Sequence, residues 1–106
     1  MSLIPGTTPT LTISLDTSIS GCSAMQLCLV CGDARIVREQ DELVLSPDGT
    51  EVSARLTQAE TLLLPDDKIA RVQLRVMLHG AVLSTEVMTV SVKELLYRKE
   101  LIPHET

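Results

Sequence analysis

The 106-residue sequence predicts an antiparallel β-sandwich of about seven strands with one short helical turn. Three features point there. Apolar and polar residues alternate over short runs, as in strands with one buried face. Gly, Pro, Asp and Ser interrupt those runs at short intervals, as turns between strands do. The length suits one domain over 1–106, with residues 1–9 as an amino-terminal arm and 94–106 as a carboxy-terminal tail.

Taken in order, "TLTISLD" (10–16) puts Leu11, Ile13 and Leu15 on one face and Thr10, Thr12 and Ser14 on the other. Ser20-Gly21 breaks the pattern before a second strand over 24–31, and Gly32-Asp33 turns the chain into "ARIVREQ" (34–40). Leu43–Leu45 and "EVSARLT" (51–57) flank the turn "SPDGT" and are expected to pair as a hairpin. Thr57 and Glu60 have the spacing of a capping box, which opens a helical turn near 58–64 that Pro65 ends. In "KIARVQLRVMLHG" (68–80), Val72, Leu74, Val76 and Leu78 face inward. A tight turn at His79-Gly80 then leads into a last strand, "AVLSTEVMTVSV" (81–92). On the outer face, Arg71 and Arg75 are expected to meet Glu86 across this hairpin.

Cys28 and Cys31 have the spacing of a metal or redox pair, with Cys22 just upstream. Strand alternation argues against that chemistry. It sends Cys31 inward with Met25, Leu27 and Leu29, and Cys28 outward with Gln26 and Val30, so the two thiols point apart. A redox pair needs a turn into a helix start, whereas Leu29-Val30 favours a continuing strand. His79 and His104 are isolated and complete no zinc set. Asp41-Glu42 and Asp66-Asp67 are too few carboxylates for a calcium loop and are expected to be solvated turns. No nucleophile elbow or Gly-rich phosphate loop is present, so no catalytic residue, metal or cofactor is assigned.

Composition narrows the partners. Nine Lys and Arg against fourteen Asp and Glu give a net charge of −5, which opposes nucleic-acid binding. Tyr97 is the single aromatic residue, so stacking platforms for bases or sugars are missing and the core must be aliphatic. The first residues lack the basic and apolar regions of a signal peptide, and no run is long enough for a membrane helix. The expectation is therefore a protein with no membrane partner that keeps its thiols reduced.

Three stretches also carry a resemblance: Gly6-Thr7-Thr8-Pro9 before the first strand, Leu56-Thr57-Gln58-Ala59-Glu60-Thr61 before the crossover turn, and Thr89-Val90-Ser91-Val92 in the last strand. The pattern resembles small structural proteins of tailed phages and prophages, similar to the amino-terminal domain of phage baseplate upper proteins. That resemblance implies an Ig-like sandwich and no enzymatic activity. It also implies an assembly role in a tail or baseplate, with other phage structural proteins as partners, in the virion or the cytoplasm of the bacterial host. The rival reading is a free-standing Ig-like adhesion or ligand-binding domain of a bacterial host.

The terminal segments hold more apolar surface than a small core needs. Leu3 and Ile4 at one end, and Leu95, Leu96, Tyr97, Leu101 and Ile102 at the other, are the candidate interface, for a neighbouring tail protein or a second copy. Otherwise the last strand runs on and frays, with Tyr97 packed on the sheet edge.

Overall fold

Alternating burial organises the chain into two sheets that share one core. The computed structural model describes residues 2–103, with 46% of the residues in strands and 8% in helix. In chain order the strands are β1 (Ser2–Leu3), β2 (Thr10–Ser14), β3 (Ala24–Cys31), β4 (Ala34–Glu39), β5 (Val44–Leu45), β6 (Glu51–Arg55), β7 (Ile69–Leu78), β8 (Ala81–Ser84) and β9 (Met88–Val92). A 3-10 turn spans Gln40–Glu42, and helix α1 spans Gln58–Leu62. The larger sheet runs β1-β9-β7-β3-β4, with β8 also on β7, and the smaller runs β2-β6-β5.

The buried faces are those the alternation predicts. Leu27 and Leu29 on β3, and Val72 and Leu74 on β7, join Leu11 and Ile13 on β2 and Val52 and Ala54 on β6 in one aliphatic cluster. Burial of the Val, Leu and Ile side chains among them, each contributing about 1.5–3 kcal/mol, is the main term holding the sheets together. The hairpin of β5 and β6 forms with Leu45 opposite Val52. The turn between β7 and β8 places His79 at φ 51° and Gly80 at φ 81°, the pair of left-handed residues that a two-residue hairpin requires.

Three expectations need correction. The larger sheet is mixed rather than antiparallel, because β1 runs parallel to β9, with Leu3 opposite Val92. Two residues are too few to show a period, and their partner lies at the other end of the chain.

The last strand is also not continuous. Arg75 pairs with Ser84 and Val72 with Met88, so Gln73 and Leu74 face three residues, Thr85 to Val87. This bulge shifts the inward positions from Leu83 to Met88, Val90 and Val92. Thr85 closes it twice over: its amide donates to the Leu74 carbonyl at 2.9 Å, and its hydroxyl accepts from the Leu74 amide at 3.1 Å.

Finally, Arg75 donates to Gln26 Oε1 at 2.6 Å, its direct neighbour on β3. Neither Arg71 nor Arg75 pairs with Glu86 among the described residues, because Glu86 sits in the bulge rather than on a regular ladder position.

Candidate interaction surface at the chain termini

The geometry at the α1 end begins with Thr57. Its hydroxyl accepts from the Glu60 amide at 3.2 Å, and its amide donates to Glu60 Oε1 at 3.0 Å, so the capping box forms. Glu60 does a second job. Arg38, inward-facing on β4, forks onto its carboxylate, with Nη1 2.7 Å from Oε2 and Nη2 paired to Oε1. Arg38 Nη2 also donates to the Arg55 carbonyl at 3.2 Å, which ties β4, β6 and α1 together. The Arg38 guanidinium holds the Glu60 carboxyl at about 2, despite the opposing effect of burial.

Thr61 then anchors the amino-terminal arm. Its buried hydroxyl accepts from the Gly6 amide at 3.0 Å and lies 2.8 Å from the Thr7 carbonyl and 3.1 Å from the Gln58 carbonyl, sharing one proton between them. Gly6 is left-handed at φ 78°, and a Cβ there would come within 2.8 Å of Leu95 Cδ2. The backbone angle is what calls for glycine here, and a larger residue would also have to push the Leu95 side chain aside.

From this anchor the arm enters the core. Leu3 is 1% exposed and belongs to the hydrophobic cluster rather than to an outer surface. Its carbonyl accepts from Lys93 N–H at 2.7 Å, where the tail begins.

The tail neither continues β9 nor packs Tyr97 on a sheet edge. It turns back over α1 and is held by polar contacts. The Leu95 amide donates to Asp66 Oδ1 at 3.2 Å, so Asp66 is not a free solvated turn residue. Arg98 donates to the Leu62 carbonyl at 2.9 Å and the Leu64 carbonyl at 2.7 Å, capping the helix end, and pairs with Asp66. That guanidinium lowers the Asp66 pKa below its usual value. Gln58 clamps Leu101 through both ends of its amide, donating to the carbonyl at 3.0 Å and accepting from the N–H at 2.5 Å.

With the backbone held inward, the side chains turn out. Leu96 is 92% exposed and Tyr97 75%, and Leu101, Ile102, Ile4 and Leu63 are exposed as well. Leu95 is half-buried against Gly6. Of the seven candidate interface residues, Leu3 thus lies in the core, Leu95 seals the arm, and Ile4, Leu96, Tyr97, Leu101 and Ile102 remain on the surface.

Comparisons with family models, curated proteins and solved structures found no match. Two of the three stretches behind the phage resemblance do meet at this end, since Gly6 and Thr7 hang on Thr61. The third runs beside β1, with Ser91 and Val92 opposite Ser2 and Leu3.

The thiols lie elsewhere. Cys31 is buried, and burial raises its pKa, while Cys28 is half-buried on the opposite face of β3. Among the described residues no three His, Cys, Asp or Glu side chains cluster as metal ligands. No described helix is long and apolar enough to cross a membrane.

Sequence reasoning missed Arg38, Gln58, Asp66 and Arg98 as organisers of this end. One signal was available: an Arg at an inward position of β4, which a buried ion pair explains.

Proposed function

We propose that the protein is a non-enzymatic assembly module of a phage or prophage tail or baseplate, acting through protein–protein contacts. The observation that carries this reading is the outward-held tail. Arg98 and Gln58 fix its backbone while Leu96, Tyr97, Leu101 and Ile102 stay exposed. Ordering an apolar segment in advance lowers the entropic cost of docking it, which favours a binding role over a loose end. An aromatic anchor among aliphatic neighbours is the composition of an interface core.

The finer fold reading is an Ig-like sandwich. What supports it is the strand order: β7 lies between β3 and β9, as F lies between C and G in that plan, and β6 lies between β2 and β5, as E lies between B and D. The first strand departs from it by joining β9 in the opposite sheet. The Cys-Trp-Cys core of antibody domains is missing, so the likeness is architectural.

Sedimentation, and pull-down against structural proteins of a tailed phage, test the proposal, using the full chain and a Leu96→Ser/Tyr97→Ser variant. Both positions are exposed, so the variant is expected to fold normally. The full chain is expected to self-associate or bind one such protein over about 1,000 Å² or more, and the variant to lose that contact. A full chain that stays monomeric and binds none of them overturns the assembly role and leaves the adhesion reading.

A further inference from the structure

A second surface lies at the free edge of the larger sheet. Strand β8 pairs only with β7 among the described residues, and all of its residues are exposed. From His79 to Thr85 the sequence holds no Lys, Arg, Asp, Glu or Pro. Those are the residues that ordinarily keep an edge strand from pairing with another chain. The opposite edge of the same sheet has them, since β4 carries Arg35, Arg38 and Glu39.

The direction of the free backbone groups follows from β7. The Met77 carbonyl accepts from the Ser23 amide at 2.9 Å, so it points to the β3 side and away from β8. Val82, opposite Met77, is therefore in a pair without hydrogen bonds, and its own N–H and C=O point off the edge. Ser84, two residues on, points the same way. Leu83, on the core side with its partner Val76, is half-exposed, and Val82 is exposed on the outer face beside Met77.

We propose that β8 pairs with β8 of a second copy, antiparallel about a two-fold axis, with Leu83 opposite Leu83 and Val82 opposite Ser84. Residues opposite one another share a face of the sheet, so the axis passes through a residue rather than between two. With Leu83 on the axis, each Val82–Ser84 pair exchanges both of its N–H···O bonds, and every outward group of β8 is used. An axis at any other residue of β8 puts Val82 or Ser84 opposite the turn or the bulge. The two Leu83 side chains meet in the closest kind of cross-strand pair, with Cα atoms about 4.5 Å apart, and each covers the exposed side of the other. A neutral strand that matches itself is what an isologous contact requires. Asp16 and Glu86 line the groove beside Leu83, and each chain carries a net charge of −5, so repulsion opposes the pair and added salt is expected to tighten it. The surface is separate from the tail, so either contact can fail while the other stands.

Sedimentation of the Leu96→Ser/Tyr97→Ser variant isolates this contact from the tail. The edge spans only 4 residues, so a reversible monomer–dimer equilibrium at high protein concentration is expected rather than a permanent dimer. Adding Val82→Pro removes an outward N–H and no bond to β7. Both copies then lose a hydrogen bond, and dimerisation is expected to weaken about tenfold or more with the unfolding midpoint nearly unchanged. Amide exchange read residue by residue by NMR, with β8 native, is expected to slow at Val82 and Ser84 as concentration rises. Ala81 and Leu83, already bonded to β7, are expected to change little. This pattern belongs to the native strand and decides the matter even if the proline variant does not fold. A monomer at every concentration, slowed amides away from Val82 and Ser84, a dimer indifferent to Val82→Pro, or one loosened by salt overturns the proposal.

Discussion

At Glu60 a single carboxylate serves both the helix cap and the Arg38 fork, and this sets a pH dependence. Its pKa falls from 4.5 to about 2, so the folded state favours the charged form. The stabilisation is whole above about 4.5 and is lost as pH falls through about 2. With an allowance for partial exposure it is worth about 2 kcal/mol. Urea titrations across that range are expected to show the loss in the native chain and a flatter profile in Glu60→Gln. The cysteines give a second prediction at this scale. Cys28 should react with a thiol reagent in the folded protein, while Cys31 stays protected until unfolding, because it is buried and its thiolate is disfavoured. Cys31→Ser is expected to cost about 1–3 kcal/mol in a denaturant titration, since its hydroxyl enters an apolar core, and Cys28→Ser much less.

Helix α1 is a short element, too short to stand alone, and its neighbours account for its stability. The capping box starts it, Thr61 joins it to the arm, and Arg98 takes up two carbonyls at its end. In return it gives the tail a fixed path. Arg98→Ala leaves those carbonyls to water and frees the tail, at a cost of about 1 kcal/mol or less in stability. The larger effect is expected in limited proteolysis, with cleavage after residue 93 accelerated and the strands up to β9 still resistant. A tail cut no faster in Arg98→Ala than in the native chain would show that the polar clamp does not hold it.

On the scale of the whole molecule, the two ends of the chain meet: Leu3 beside Val92, and Lys93 on the Leu3 carbonyl. Closing so long a loop costs entropy, and burial of Leu3 and its ladder partner is a main term offsetting it. Leu3→Ala is therefore expected to destabilise the entire fold by about 2–5 kcal/mol, measured by thermal or urea unfolding. A change near zero would mean that Leu3 sits on a surface, as its place in an amino-terminal arm first suggested.

The sequence by itself determined what depends on neighbours within a few residues. Alternation assigned the buried faces of β2, β3, β6 and β7, including the opposed directions of Cys28 and Cys31. Thr57-x-x-Glu60 marked the start of α1, and His79-Gly80 marked its hairpin, because capping and turn geometry are local. Only the tertiary structure decided the rest. The parallel pairing of β1 with β9, the Arg38–Glu60 link and the Arg98 clamp join residues far apart in sequence, and no period encodes which distant partner a side chain finds. The bulge at Thr85 was hidden for a related reason. One extra residue on one strand leaves both flanking stretches alternating normally, and its effect appears only when the opposing strand is laid beside it. The candidate surfaces follow the same division: apolar termini are visible in composition, but which of those side chains face water is decided by the polar contacts that hold the backbone.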